Sequence, residues 1–273
     1  MQLSAACATP GHVNPDGLRL GGAGATKLAD GSYFHNAVGC LGAAPGQPSF
    51  AASLLGFASK TGFDWNYVGP IIHAADFPAS MVGPTENAVT QLPDGKTLLA
   101  VARTDADGHC DKPAPPGSHY HEYIHTLSTD KGRTWRKPTL ITGAGCVRPK
   151  LLTLSGGAVL LSGGRECYAN RTDVSLWAAT GESVVANDWR RFSLSGQHNR
   201  LWQGDPALRF IPDSVNKSYG AASHFLGSLS YTSLVPLGPD SGVVTYDLRL
   251  PKYKGMPSVQ IGFSMRFRVE LDV

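Results

Sequence analysis

Charge is scarce in this chain, and what there is lies scattered. Of 273 residues, 16% are Asp, Glu, Lys or Arg, and the formal net charge is +3. A nucleic-acid face needs clustered lysines and arginines, so nucleic acid is not an expected partner. Long apolar runs are missing too. No stretch has the length of a transmembrane helix. The first residues, Met1-Gln2-Leu3-Ser4-Ala5-Ala6-Cys7, have neither the basic start nor the apolar centre of a signal peptide. No segment keeps a helical apolar period for a dozen residues. The five cysteines (Cys7, Cys40, Cys110, Cys146, Cys167) include no C-x-x-C pair, so a structural zinc site is not expected. Their odd number leaves at least one unpaired, and their spread decides neither pairing nor compartment.

Turn residues, in contrast, are abundant. The 32 Gly and 19 Pro recur singly between short apolar runs, which predicts an all-β fold rich in hairpins. Residues 1–17 read as a disordered or severed segment, and 18–273 as one β domain. Ala25 to Leu28, an Asp30-Gly31 turn and Ser32 to Val38 form a first hairpin pattern. Ser53 to Ala58 and Trp65 to Ile72 form a second. Residues 82–142 hold a second four-strand group. A third runs from Cys146 through Ala158–Gly163 and Asp173–Ala178 to about Trp189. A fourth contains Leu229 to Val235, a turn at Pro239-Asp240-Ser241-Gly242, and Val243 to Leu248. Residues 257–270 alternate apolar and polar, as a half-buried strand does, and are read as a closing strand. The period is roughly fifty to sixty residues, in the range of propeller blades.

One octapeptide carries a family resemblance. Ser128-Thr129-Asp130-Lys131-Gly132-Arg133-Thr134-Trp135 fills every position of the Asp-box S-x-D-x-G-x-T-W. Ala58 to Trp65 keeps the Gly and the Trp of the box but not its Ser and Asp. The chain resembles the sialidases (neuraminidases) and related Asp-box β-propellers. That resemblance implies a sialidase-type six-bladed propeller, of which about four blades and a closing strand are readable here. It also implies a structural role for Asp130, on a turn between outer strands.

The resemblance extends to four side chains. Glu86, in Gly83-Pro84-Thr85-Glu86-Asn87-Ala88-Val89, looks like the family's catalytic glutamate. Arg103, at the end of the strand Thr97 to Ala102, looks like an arginine of its carboxylate-binding triad. Arg171 looks like a further one, with Arg165 and Arg148 as competitors. Tyr231 looks like the nucleophilic tyrosine. The implied activity is retaining cleavage of terminal sialic acids, without a cofactor or metal, on a sialylated glycan or other acidic carbohydrate. The chemistry is coherent. A planar guanidinium grips a carboxylate through two parallel charge-assisted bonds. A neutral phenol that loses its proton to a glutamate as it attacks avoids the repulsion a carboxylate nucleophile would meet from an anionic substrate. The family's first arginine and its acid/base aspartate are not found, and Asp76 is the one early-loop aspartate on offer. The alternative is therefore a non-catalytic or truncated propeller that binds carbohydrate or protein.

Each of these residues has an ordinary rival role. Glu86 can be a solvated turn residue, Arg103 half of a surface ion pair, and Tyr231 a strand aromatic. His121-Glu122-Tyr123-Ile124-His125 fits the H-E-x-x-H pattern, but that zinc chemistry needs both histidines on one helical face, and Tyr123 to Leu127 reads as a strand. Gln197-His198-Asn199-Arg200-Leu201-Trp202 either lines a sugar site or folds over a blade edge. Gly21-Gly22-Ala23-Gly24 lacks the strand and helix of a nucleotide loop. Two sequons, Asn170-Arg171-Thr172 and Asn216-Lys217-Ser218, are candidate glycan sites.

Overall fold

The computed structural model describes residues 18–20, 24–39, 41, 52–76, 83–104, 123–141, 148–164, 174–202, 204, 206–210, 231–253 and 256–270. Residues 1–17, Gly21-Gly22-Ala23, both sequons, Arg165 and Arg171 lie outside that set. The chain divides into two compact units, 1–109 with 114–142 and 110–113 with 143–273.

The first unit holds two antiparallel sheets. In one, β3 (Tyr33–Gly39) pairs along one edge with β1 (Leu18–Leu20) and β2 (Thr26–Lys27), and β4 (Ser53–Ser59) and β5 (Asn66–Ile72) follow outward. The other runs β6 (Pro84–Gln91), β7 (Leu98–Thr104), β8 (Tyr123–Ser128), β9 (Thr139–Ile141) in sequence order. Side chains alternate across a strand, and the central strands β7 and β8 bury the residues of both faces. Phe34, Leu54, Ile71 and Ile72 of the first sheet meet Val89, Leu98, Ala100, Ala102 and Ile124 of the second in one core.

The octapeptide Ser128 to Trp135 lies on the β8–β9 hairpin, and its side chains bond the backbone of their own turn. Asp130 Oδ1 accepts the backbone N–H groups of Arg133 (3.0 Å) and Thr134 (2.9 Å), and Oδ2 accepts the Thr134 hydroxyl (2.6 Å). That hydroxyl and the two amides favour the charged carboxylate and hold its pKa down to about 2. Ser128 Oγ accepts from Gly132 N (2.9 Å). Trp135 donates its indole N–H to Gly132 O (3.0 Å) and leans on Phe34, ring centres 6.0 Å apart. In the degenerate copy the lost serine is replaced one position later: Ser59 Oγ accepts from Gly62 N at 2.8 Å.

A second repeat, not recognised in the sequence, lies at the tight turns. Leu28, Leu92 and Leu154 are buried, and each bonds across its turn in the same way. Leu28 N donates to Ser32 O, Leu92 N to Thr97 O and Leu154 N to Ala158 O, all at 2.8 Å. In each, a glycine N–H (Gly31, Gly95, Gly157) donates back to the leucine carbonyl. The chain therefore repeats one hairpin at intervals of about sixty residues.

The second unit also holds two sheets. β10 (Lys150–Thr153), β11 (Val159–Gly163), β12 (Ser175–Ala179) and β13 (Arg190–Ser193) form a four-stranded sheet. Here the outer hairpin is replaced by a short helix, α1 (Gly181–Ala186), capped by Thr180 Oγ1 and closed by Asn187 in the left-handed conformation. The fourth strand thus begins just after Trp189, where the sequence reading ends it. A second helix, α2 (Leu194–Leu201), follows. The last sheet is β14 (Ser233–Gly238), β15 (Ser241–Tyr253) and β16 (Met256–Arg268). The strand read as a closing one is β16. It pairs with β15 along its whole length, so it is the third strand of the fourth sheet and not a separate closure. Its predicted alternation is observed from Val259 to Glu270.

Gly132 is the test of this packing. Its φ is +82°, and a Cβ there would lie 2.2 Å from Phe34 Cε2. Gly31 has φ +84° but open space around it. Gly31→Ala is expected to cost about 1 kcal/mol from backbone strain alone. Gly132→Ala should cost about 2–4 kcal/mol, because overpacking adds to the same strain. Denaturant midpoints of the two variants measure the difference, and equal losses would reject the turn as a close inter-sheet contact.

Candidate functional site

Glu86 is placed by a bulge. β6 and β7 pair Pro84 with Thr104 and Asn87 with Ala102, so Thr85 and Glu86 together stand opposite the single residue Arg103. A bulge of this kind re-aims a side chain. Glu86 Oε2 accepts from Arg103 Nη1 at 2.6 Å, with both side chains about one fifth exposed (21% and 23%). The two residues singled out seventeen positions apart are thus brought into direct contact.

Two asparagines absent from the sequence reading support the bulge. Asn36 on β3 donates to Asn87 Oδ1, and Asn87 Nδ2 donates to the Thr85 carbonyl at 2.6 Å. Both are buried between the sheets of this unit, at 1% and 0% exposure. A buried amide without partners is costly, so this chain of bonds fixes the backbone that carries Glu86. Asn87 is adjacent to Glu86 in sequence, but only the pairing of β3 against β6 reveals Asn36.

In the second unit, Arg148 and Tyr231 come together. Arg148 immediately precedes β10 and Tyr231 lies just ahead of β14, in the lead-in and not within the strand expected from Leu229 to Val235. The Arg148 guanidinium carbon is 5.7 Å from the centre of the Tyr231 ring. Tyr231 is 46% exposed. Its neighbour Thr232 is buried, with its hydroxyl 2.7 Å from that of Ser162 on β11. Glu86, Arg148 and Tyr231 share a topological position. Each stands where the first strand of its own sheet begins, at the end away from that sheet's tight turn. Arg165 and Arg171, between β11 and β12, are outside the described residues.

Other candidates resolve into structural roles. Asp76 ends a 3-10 turn, Ala74–Asp76, and its Oδ2 accepts the His73 N–H at 3.2 Å. Tyr123, Ile124 and His125 lie in β8, so the helical face that H-E-x-x-H chemistry requires is not formed by them. His198 is buried in α2. Its Nε2–H donates to Leu208 O and its Nδ1 accepts the Tyr246 hydroxyl, both at 2.9 Å. The carbonyl can only accept, which sets the tautomer. Trp202 stacks on His198 at 5.9 Å, and Phe263 meets the same imidazole edge-on at 4.6 Å. The polar-aromatic cluster from Gln197 to Trp202 therefore folds over the blade edge at this histidine.

Several solved structures align with this chain, among them the following three. A GH93 alpha-L-arabinofuranosidase of Fusarium graminearum, solved with arabinobiose, superposes with a TM-score of 0.52 at 12% identity, over 94% of this chain and 64% of that one. The GH43 BlXynB protein from Bacillus licheniformis gives 0.50 at 12%, over 84% and 36%. The K499G mutant of NanB sialidase from Streptococcus pneumoniae gives 0.50 at 9%, over 85% and 48%. The fold is a β-propeller fold. The propeller has four sheets among its described residues, and the chain spans less than two thirds of the length of these structures. No protein-family model matches the chain, and no curated protein matches it.

The Glu86–Arg103 pair should be energetically coupled. A double-mutant cycle with Glu86→Gln and Arg103→Met is expected to give about 1–2 kcal/mol of coupling in urea unfolding, above the range of exposed pairs. A value near zero would mean that the bulge, not the ion pair, sets the geometry.

His125 generates a pH prediction. It is 4% exposed, its Nδ1 has no partner among the described residues, and burial pushes its pKa down to about 4. The unfolded chain binds a proton near pH 6.5. Between those values the unfolded state holds more protons, so stability is full above about pH 6.5 and is lost as pH falls towards 4. The loss is on the order of 3 kcal/mol. His125→Leu should flatten the stability profile between pH 7 and pH 4.5, measured by urea midpoints. A profile parallel to that of the native chain would reject the assignment to His125.

Proposed function

We propose that this propeller is a glycoside hydrolase of the sialidase type, acting on terminal sialic acids or a closely similar acidic sugar. Tyr231 supplies the nucleophilic oxygen and Glu86 accepts its proton. Arg103 and one or more of Arg148, Arg165 and Arg171 hold the substrate carboxylate. The observation that carries the reading is the Glu86–Arg103 contact at the bulge of β6. A carboxylate and a guanidinium held at a strand's entry are the two groups that the sialidase resemblance asks for at those positions.

A binding role without hydrolysis is the second reading, favoured by Asp76. Its carboxylate caps its own turn, and a leaving group expelled without a general acid departs roughly two to four orders of magnitude more slowly.

Fluorogenic α-sialosides and α-L-arabinofuranosides separate these readings. The native chain is expected to release the fluorophore from the sialoside, and Tyr231→Phe should lose at least about a hundredfold in kcat, in the range of a lost nucleophile. Equal rates in the two chains would reject the tyrosine mechanism. Turnover of the arabinofuranoside alone would reject the acidic substrate. Sialoside binding without turnover would leave the second reading.

A further inference from the structure

The neighbour that the structure gives Tyr231 is Arg148, and its geometry points to a role beyond gripping a substrate. Arg148 precedes Pro149, and a residue before proline is confined to extended backbone. The guanidinium therefore projects from a stiff lead-in to β10. On the tyrosine side, Thr232 is 6% exposed and bonded to Ser162. Ser162 pairs with Lys150, two residues after Arg148. Phenol and guanidinium are thus anchored to the same pair of strands, β10 and β11. A planar cation over an aromatic face is attracted by the ring's negative face. A positive charge at this range also favours the ionised form of the phenol over the neutral one.

We propose that Arg148 is the activating residue of Tyr231: its charge stabilises the phenolate, so the hydroxyl is nucleophilic at neutral pH through this neighbour. The proposal deepens the reading above and rests on it for the natural electrophile, an anomeric carbon bearing a carboxylate. It assigns Arg148 to the nucleophile and leaves the carboxylate grip to the other arginines.

An electrophilic probe tests it without any sugar. An aryl sulfonyl fluoride reacts with a phenolate oxygen: the O–S bond forms, the S–F bond breaks, fluoride leaves, and the phenol proton has gone to solvent. The full chain is labelled across about pH 6 to 10, and the Tyr231 adduct is quantified by mass spectrometry against the other tyrosines of the same digest. Arg148→Met is expected to slow labelling of Tyr231 about three- to tenfold at neutral pH. It should also move the midpoint of the pH profile up by roughly one half to one pH unit, the size expected of a nearby cation in a half-exposed site. Arg148→Lys should retain most of the native rate. An unchanged midpoint in Arg148→Met overturns the proposal. So does equal loss in the Lys and Met variants, which would make the contact one of packing and not of charge. Arg148→Gln replaces the Met variant if that chain unfolds. Failure of the sialidase reading shows separately, as Arg148-dependent labelling in a chain that turns over no sialoside.

Discussion

The approach of Phe34 to the turn at Gly132 sets how closely the two sheets of the first unit can stand. A sheet buries one face only by finding another sheet, and the pair settles where side chains interlock. Here a ring packs against a residue with no side chain. Everything in the Asp-box serves that point. The aspartate satisfies the turn's amides, the serine holds the glycine, and the tryptophan covers what the glycine leaves open. Lys131, on the same turn, bonds Asp30 of the β2–β3 turn at 2.6 Å, and with Ser32 it holds that carboxylate below its usual range. The outer turn of one sheet is thereby tied to the inner turn of its neighbour.

With the two sheets of the first unit fixed at their turn ends, the opposite ends are left to carry the residues of the proposed site. Tight turns demand glycine and aspartate and tolerate little else. The starts of the first strands carry no such demand. Glu86, Arg148 and Tyr231 all occupy such starts, and Arg103 ends the strand beside Glu86. The bulge adds what a regular strand cannot. With strict alternation only one residue would oppose Arg103. The extra residue lets the backbone place Glu86 against the guanidinium while Asn87 still turns inward to Asn36.

Legibility in the sequence followed locality. The Asp-box is readable because the hydrogen bonds of its defining side chains, Ser128, Asp130, Thr134 and Trp135, fall within eight residues. Glu86 and Arg103 are each legible from the strand-turn-strand that links them, but their direct contact is not. Nor is the bulge itself, since nothing in Pro84-Thr85-Glu86-Asn87 distinguishes it from a regular strand. The repeated leucine turns escaped notice because their residues vary (Asp-Gly-Ser, Asp-Gly-Lys, Gly-Gly-Ala) while the backbone bonds do not. The pairing of Arg148 with Tyr231 joins residues more than eighty positions apart, so only packing reveals it. The alternation from 257 to 270 reads as a half-buried strand, which β16 is, but it does not reveal β15 as the neighbour, because alternation fixes a face only.

The second unit shows that the box is one solution and not a requirement. Its first sheet has no Asp-box between β12 and β13, and a capped helix makes the connection instead. The apolar face is closed by the segment that follows. Leu194 of α2, together with Leu208 and Phe210, fills the core against Leu176, Ala178, Val244 and Tyr246. The polar cost of that closure falls on one histidine, bonded on both nitrogens and ringed by aromatics. Burial drives the pKa of the Tyr246 hydroxyl up to about 12, which keeps the phenol protonated. What the two units share is therefore a covered face and a free strand entry. A sequence can lose the signature turn and keep both, which explains how a chain with one intact box still builds four sheets.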